Sequence, residues 1–195
     1  STTGQFKAIK TGGAPIGTWS SGGNLPANII LQGAFGGRDS VTTGGGSTST
    51  ARVGDSFQYN GVSWSEIAEL STVRDQASGL GTQNSGLVAG GYRDSPAAVV
   101  GIVENWNGSS WTEVADVSPV RTGAGTAALA VEGEGVAGTE SWNGTSWTEV
   151  NDLNTPRHLG GGSGIQTSAI VSTGRTGAPA YNPSVLCESW DGSSW

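Results

Sequence analysis

Apolar residues along the chain come in short stretches that glycine interrupts, such as Asn84-Ser-Gly-Leu-Val-Ala-Gly-Gly91. Nowhere does an apolar spacing of three to four residues, the pattern of an amphipathic helix, persist over a dozen positions. Aromatic-Asn-Gly sequences stand between extended stretches, and this combination is a strong signal for a β-hairpin. The pattern therefore predicts an all-β protein of short strands without helices.

One hairpin sequence recurs along the chain. The segment Glu104-Asn-Trp-Asn-Gly-Ser-Ser-Trp-Thr-Glu-Val-Ala-Asp-Val117 returns with few changes from Glu140 to Leu153, and a looser copy runs from Phe57 to Leu70. The second tryptophan positions of the copies are 45, 47, 36 and 48 residues apart: Trp19, Trp64, Trp111, Trp147 and Trp195. A period in the forties is that of a four-stranded propeller blade.

Other residues recur at fixed distances from these tryptophans. Glycines follow 17 and 27 residues later in three copies, and an arginine follows ten residues later: Gly36, Gly81, Gly164, Gly46, Gly91, Gly174, Arg74, Arg121 and Arg157. Because the distances hold while the sequences diverge, we expect the glycines to mark backbone geometry. Each copy is predicted to form four strands, with the Asn-Gly hairpin as a type I′ turn between the third and fourth.

The third copy departs from the others in length. Its period is eleven residues shorter than the one before, and the deficit falls between Arg121 and Glu140. We therefore expect both its inner turn and the connection to its third strand to be shortened.

Composition narrows the class of partner. The chain has 195 residues, 34 of them glycine, with eight tryptophans and a formal charge of −7. Disordered chains are poor in large apolar side chains, and phosphate binding needs clustered Lys and Arg, so neither disorder nor a nucleic-acid partner is expected. The longest apolar run, Ala97-Ala-Val-Val-Gly-Ile-Val103, is too short for membrane insertion. A surface rich in Ser, Thr, Gly and Asn and poor in Lys suggests an extracellular or virion-surface protein.

The amino-acid sequence of the repeat resembles that of a known family. Glu140-Ser-Trp-Asn-Gly-Thr-Ser-Trp-Thr-Glu-Val-Asn-Asp-Leu-Asn-Thr-Pro-Arg157 is similar to kelch-like repeats of bacterial, phage and environmental sequences, often described as similar to the galactose oxidase central domain. The resemblance implies a single β-propeller domain of about four blades, with residues 1–26 as closing strands, repeats at 27–72, 73–119 and 120–155, and an incomplete last repeat at 156–195. The alternative is a fragment of a larger propeller.

Most recurring side chains have a structural interpretation. The tryptophans offer faces on which sugars stack, but packing between blades explains one pair per copy more simply. Likewise, Arg74, Arg121 and Arg157 with Glu104, Glu140 and Glu188 read as a repeated structural pair, the arginine bidentate to carboxylate or backbone carbonyl. A single histidine and a single cysteine exclude a copper centre like that of galactose oxidase. No cofactor is expected, although a loop-bound structural calcium remains compatible with the sequence.

Positions that differ between copies are better candidates for binding, because loops carry function while repeated positions serve the fold. The two longest divergent connections are Tyr92-Arg-Asp-Ser-Pro-Ala-Ala98 and Arg175-Thr-Gly-Ala-Pro-Ala-Tyr-Asn-Pro-Ser184. They predict ligand-binding residues Tyr92, Arg93, Asp94, Arg175, Tyr181 and Asn182 on one face of the ring. The sequence thus favours a non-enzymatic, adhesin-like module that binds a glycan or a protein. The alternatives are a carbohydrate-active enzyme on the same scaffold and a purely architectural subunit of a homo-oligomer.

Overall fold

The computed structural model describes residues 22–118, 125–126, 129–133, 136–157, 160–176 and 182–195. In these ranges every regular element is a β-strand, which confirms the predicted all-β class. No helix long and apolar enough to cross a membrane occurs in this part of the chain. Three residues of the predicted sites, Trp19, Arg121 and Tyr181, lie outside the described residues, as do the predicted closing strands before residue 22.

The strands form four antiparallel sheets in chain order, with two small hairpins inserted. Sheet 1 consists of β1 (Gly33–Gly37), β2 (Ser40–Gly44), β3 (Ser56–Tyr59) and β4 (Trp64–Ile67). Sheet 2 consists of β5 (Ser78–Thr82), β6 (Ser85–Ala89), β9 (Val103–Trp106) and β10 (Trp111–Val114), and the hairpin of β7 (Tyr92–Asp94) and β8 (Ala97–Val99) lies between β6 and β9. Sheet 3 consists of β11 (Gly125–Thr126), β12 (Leu129–Gly133), β13 (Val136–Trp142) and β14 (Trp147–Val150). Sheet 4 consists of β15 (Gly161–Ile165), β16 (Ser168–Ser172) and β19 (Cys187–Trp190), with the hairpin of β17 (Arg175–Thr176) and β18 (Asn182–Pro183) inserted.

The hairpin between the third and fourth strands forms where predicted, but its turn is not of type I′. Trp106 pairs with Trp111, and Asn107 N–H donates to the Ser110 carbonyl at 3.2 Å, so the loop spans four residues. Only Gly108 has a positive φ, at 95°. Asn107 instead contributes its side-chain oxygen, which accepts backbone N–H groups from Ser109 and Ser110 at 2.9 and 3.0 Å. The asparagine is therefore selected as an acceptor rather than for left-handed backbone geometry.

The recurring glycines mark positions of special backbone geometry, as predicted. Gly36, Gly81 and Gly164, each near the end of the first strand of its sheet, have φ of 117°, 115° and 134°. An added Cβ at Gly81 would lie 2.5 Å from the Ser85 carbonyl oxygen, so the position excludes a side chain on two grounds. The glycines ten residues later also have positive φ: Gly46, Gly91 and Gly174.

The hydrophobic core is divided among the joints between successive sheets. In each hairpin the two aromatic rings stack at a tilt, with centroids 5.1 Å apart for Trp106 and Trp111. Trp111 then meets Phe35 of sheet 1 edge to face at 6.1 Å. Trp142 and Trp147 pack on the core of sheet 2, and Trp190 and Trp195 pack against residues of sheet 3. Six of the described tryptophans lie at joints between sheets, which supports the structural interpretation of this repeat: Trp106, Trp111, Trp142, Trp147, Trp190 and Trp195.

The order of contacts follows the order of the chain. The first strands of successive sheets lie beside one another, β1 with β5, β5 with β11 and β11 with β15. The eleven-residue deficit of the third copy is shared between the two predicted places. Strand register makes Thr126 and Leu129 the equivalents of Leu80 and Leu87, and two residues separate them instead of six, so the inner hairpin of sheet 3 is shortened. The connection to the third strand is also short, since β12 ends at Gly133 and β13 begins at Val136. Closure into a four-bladed ring stays a prediction.

Candidate functional site

Two kinds of segment meet at one end of the sheets. They are the links from the fourth strand of one sheet to the first strand of the next, and the connections from second to third strand within a sheet. Backbone hydrogen bonds join them, including Gly46 N–H to the Arg74 carbonyl and Gln76 N–H to the Leu31 carbonyl, both at 2.9 Å. We call this end the loop face, formed by residues 24–32, 45–55, 68–77, 90–102, 151–157, 173–176 and 182–186.

A buried arginine fixes the link between sheets 1 and 2. Arg74 and Glu104 are both fully buried and form an ion pair at 2.5 Å through Nη1. The pair is not bidentate, because the remaining guanidinium hydrogen bonds go to the carbonyls of Thr72, Val88 and Gly90, each at 3.0 Å. Burying a charge is costly unless it is paired and hydrogen-bonded, and here both conditions hold.

The carboxylate completes the anchor from the other side. Glu104 accepts the backbone N–H and hydroxyl of Ser71, both at 2.8 Å, and the backbone N–H of Thr72 at 3.2 Å. Its oxygens are thereby satisfied by the link that Arg74 belongs to. The ion pair of Arg74 and Glu104 thus fixes the position of this link where it enters the loop face.

The same anchor recurs in sheet 4. Arg157 pairs with Glu188 and donates to the Leu186 carbonyl at 3.0 Å, while Glu188 accepts the backbone N–H of Asn154 at 2.7 Å. In sheet 3, Glu140 accepts the backbone N–H of Ser118 at 2.8 Å. The repeated arginine and glutamate therefore position links.

Sheet 1 uses a different solution. By their distance from Trp19 and Trp64, the positions that correspond to Arg74 and Glu104 are Ile29 and Phe57. Phe57 is buried and Ile29 is half-buried. An apolar pair stands where the next sheet carries an ion pair.

Arg52 joins the connections of sheets 1 and 2. Its Nε donates to Asp75 Oδ1 at 2.8 Å, and its Nη1 donates to Asp94. The guanidinium carbon also lies 4.5 Å from the centre of the Tyr92 ring, within the range of a cation–π contact. One side chain from sheet 1 thus contacts the link and the β7–β8 hairpin of sheet 2.

The electrostatics of this cluster favour the charged arginine. The hydrogen bond that Arg52 donates to Asp75 is the main cause of a raised pKa for Arg52, with a smaller contribution from the charge of Asp94. The Asp75 side chain is buried, whereas that of Asp94 is 61% exposed. The buried contact to Asp75 therefore dominates, because solvent screens the exposed one.

Tyr92 and Asp94, two of the predicted ligand-binding residues, are the side chains of β7 that contact Arg52. Arg93 lies between them in the strand, so its side chain points to the opposite face of the hairpin. Arg93 is half-buried, and within the described part of the chain its Nε is buried without a hydrogen-bond partner. Of the three, Arg93 retains the most capacity to bind something else.

The other predicted residues lie on a second hairpin. Arg175 belongs to β17 and Asn182 to β18. The two strands are antiparallel, and Arg175 pairs with Pro183 while Thr176 pairs with Asn182. Both side chains are exposed. This hairpin occupies the same place in sheet 4 as β7–β8 in sheet 2, between second and third strands, and the ligand role of its residues stays a prediction.

Neither the family models nor the curated proteins that were compared with the chain match it. The kelch resemblance therefore stays a prediction that rests on the residues of the repeat.

Sequence reasoning missed two features of the loop face. One is Arg52 itself, whose partner Asp75 lies 23 residues further along and in the next sheet. The other is an open depression of about 910 Å³ between the segment from Asn24 to Ile30 and the connection from Ser47 to Ser49, lined by no charged side chain. The divergence between copies that singled out 92–98 applies equally to 45–55, and would have included Arg52.

No group of three or more His, Cys, Asp and Glu side chains suited to holding a metal occurs among the residues that the structure describes.

Proposed function

We propose that the chain is a non-enzymatic binding module made of kelch-like β-propeller blades, which presents the β7–β8 hairpin of its loop face to a glycan, with a protein surface as the alternative partner. The observation that carries the proposal is the clamp by Arg52, which holds this hairpin from the neighbouring sheet. A loop that is ordered before binding loses little conformational entropy when a ligand arrives.

The propeller architecture is supported by the repeat of the joints. Successive sheets meet through tryptophan pairs, and the first strands of successive sheets lie together as they do near a propeller axis. Long connections on one face of such a scaffold suit a surface protein that recognises other molecules, in an extracellular or virion setting.

Arg93 is the residue that we expect to contact the ligand. The terminal Nη groups of its planar guanidinium offer donors in a fork, which suits carboxylate or hydroxyl oxygens of an acidic saccharide. The neighbouring residues Tyr92 and Asp94 act in support, since their contacts with Arg52 hold the hairpin in place.

A glycan array probed with the full chain tests the proposal, followed by Arg93→Ala and the control Arg38→Ala. Arg38 is 91% exposed at a turn on the opposite end of sheet 1, and pairs with its neighbour Asp39. We expect Arg93→Ala to lower the affinity for the bound glycan at least tenfold, about 1.4 kcal/mol in binding free energy. Arg38→Ala should leave this affinity unchanged. Equal affinity in both variants, or turnover of the saccharide, would contradict the proposal.

A further inference from the structure

The arginines of the described ranges divide into paired and unpaired ones. Four of these six residues form ion pairs: Arg38, Arg52, Arg74 and Arg157. Among the residues that the structure describes, the side chains of the other two, Arg93 and Arg175, have neither an acidic partner nor a hydrogen bond. An unpaired guanidinium keeps its donors for an anion from outside the chain.

Arg93 lies on the side of the β7–β8 hairpin that faces sheet 3. Tyr92 and Asp94 point toward sheet 1, because both contact Arg52. Side chains alternate along a strand, so Arg93, which stands between them, points the other way. In sheet 2 that other side is the one on which tryptophans of sheet 3 pack.

Arg175 lies on the side of its hairpin that faces sheet 3 as well, because β17–β18 follows the backbone path of β7–β8. The two residues before β7 have φ of 68° and 113°, and the two before β17 have φ of 65° and 91°. In both hairpins the residue after the second strand donates its N–H to the carbonyl of the residue before the first strand, at 2.9 Å. Arg175 is therefore the equivalent of Tyr92, which points toward the preceding sheet. For sheet 4 the preceding sheet is sheet 3.

Sheet 3 has no hairpin between these two. Its connection from the second to the third strand contains two residues, between Gly133 and Val136, whereas those of sheets 2 and 4 contain thirteen and fourteen. The hairpins β7–β8 and β17–β18 thus flank a space on the loop face above this connection, which we call the sheet 3 gap. Arg93 and Arg175 point into the gap from opposite sides.

We propose that the sheet 3 gap binds a linear acidic saccharide, with one carboxylate on the Nη groups of Arg93 and another on Arg175. The inference rests on the proposed glycan-binding function, to which it adds a ligand class and a second contact. A guanidinium pairs with a carboxylate through parallel hydrogen bonds. The formal charge of −7 repels a densely charged polyanion, so a polymer with one carboxylate per sugar suits two separated cations.

Two separated contacts make the affinity depend on the length of the saccharide. A single sugar acid reaches one guanidinium at a time, whereas a longer oligomer contacts both, and its second contact is then intramolecular. Calorimetric titration of the full chain with oligogalacturonates of one to eight sugars should show a rise in affinity of about tenfold or more at the length that first spans the gap. Neutral maltooligosaccharides of the same lengths should not bind.

Substitution of each arginine tests the two contacts separately. Arg93→Gln should lower the affinity at every length. Arg175→Gln should abolish the rise with length and leave the affinity for the single sugar acid nearly unchanged. The matched control is Arg38→Gln, at an exposed turn on the opposite end of sheet 1, and it should keep the whole length dependence. Because Arg175 is exposed, its variant decides the matter should Arg93→Gln fail to fold.

Failure of this inference is distinguishable from failure of the proposed function. An effect of Arg93→Gln without any effect of Arg175→Gln would overturn the two-point contact and keep a glycan site on β7–β8. Absence of binding to every uronate by the unaltered chain would overturn both. Binding of an oligoglutamate of matched charge as tightly as the uronate would overturn the saccharide as the ligand class.

Discussion

At the scale of single residues, each four-residue hairpin turn depends on one glycine and one side-chain oxygen. Gly61, Gly108, Gly144 and Gly192 supply the positive φ. Asparagine supplies the oxygen in the first three sheets, whereas sheet 4 uses Asp191. The turn of sheet 4 is therefore the one among these four whose acceptor can be protonated.

Protonation of Asp191 should weaken that turn in acid. Hydrogen bonds from Ser194 N–H, and then from the hydroxyl and N–H of Ser193, lower the pKa of Asp191 below its ordinary value. A lowered folded-state pKa gives stability that is present above the unfolded pKa, about 3.9, and is lost as pH falls through the folded value. Melting temperatures of the chain and of Asp191→Asn, measured from pH 6 to pH 2.5, should differ less as pH falls below about 4. A constant difference would contradict this assignment.

Residues were predictable from the sequence where the backbone restricts their identity, and less so where a distant partner does. The positive-φ glycines could be found because few other residues tolerate that conformation. The turn type could not, since an Asn-Gly pair is compatible with several loop lengths. Arg52 was missed because its contacts, Asp75 and Asp94, depend on how two sheets lie side by side.

At the scale of elements, the links between sheets are held by side chains from the third strand of the sheet that follows. Glu104 and Glu188 accept the backbone N–H groups of their links. Arg74 donates to the carbonyl of Val88 in β6, and Arg157 donates to that of Leu186, directly before β19. A link that carried no such anchor would leave buried backbone groups without partners. The sequence therefore allowed the repeated Arg and Glu to be interpreted as a structural pair. It did not predict that the glutamate accepts backbone N–H groups of the link or that the arginine donates to backbone carbonyls.

Breaking one anchor should be far more costly than replacing it. Glu104→Gln leaves the buried charge of Arg74 without a counter-charge, which costs about 3–5 kcal/mol in the free energy of unfolding. Arg74→Ile with Glu104→Phe installs the apolar pair of sheet 1, and should recover most of that loss. Urea denaturation measures both, with Arg38→Ala as an exposed-pair control that should leave the free energy of unfolding nearly unchanged. A cost below about 1 kcal/mol for Glu104→Gln would show that the anchor is not electrostatic.

At the scale of the whole molecule, the four sheets are coupled through their joints. Each described core cluster combines residues from two successive sheets, so a sheet depends directly on its neighbours. The period of the repeat indicated four strands per sheet, and the structure has them in the first three sheets. Ring closure could not be read from the same period, because it depends on the angle between sheets, which no single repeat determines.

Damage at one joint should consequently stay local. Phe35→Ala removes the ring that meets Trp111 and should cost about 3–5 kcal/mol. Amide hydrogen exchange should become faster in β1–β4 and remain unchanged in β15, β16 and β19. Val62→Ala, at an exposed site, should alter neither. Faster exchange throughout all four sheets would instead mean that the molecule unfolds as a single cooperative body.

The connections between second and third strands contain eleven, thirteen, two and fourteen residues in sheets 1 to 4. The flanking strands pair in continuous register in sheets 1, 2 and 4, whereas the register shifts between Val131 and Gly133 in sheet 3. Such a position absorbs insertions, because the entropic cost of closing a loop grows slowly with its length. The short connection of sheet 3 is thus a natural acceptor for grafted sequence. A library of foreign peptides inserted between Gly133 and Val136 would turn the scaffold into a source of new recognition surfaces.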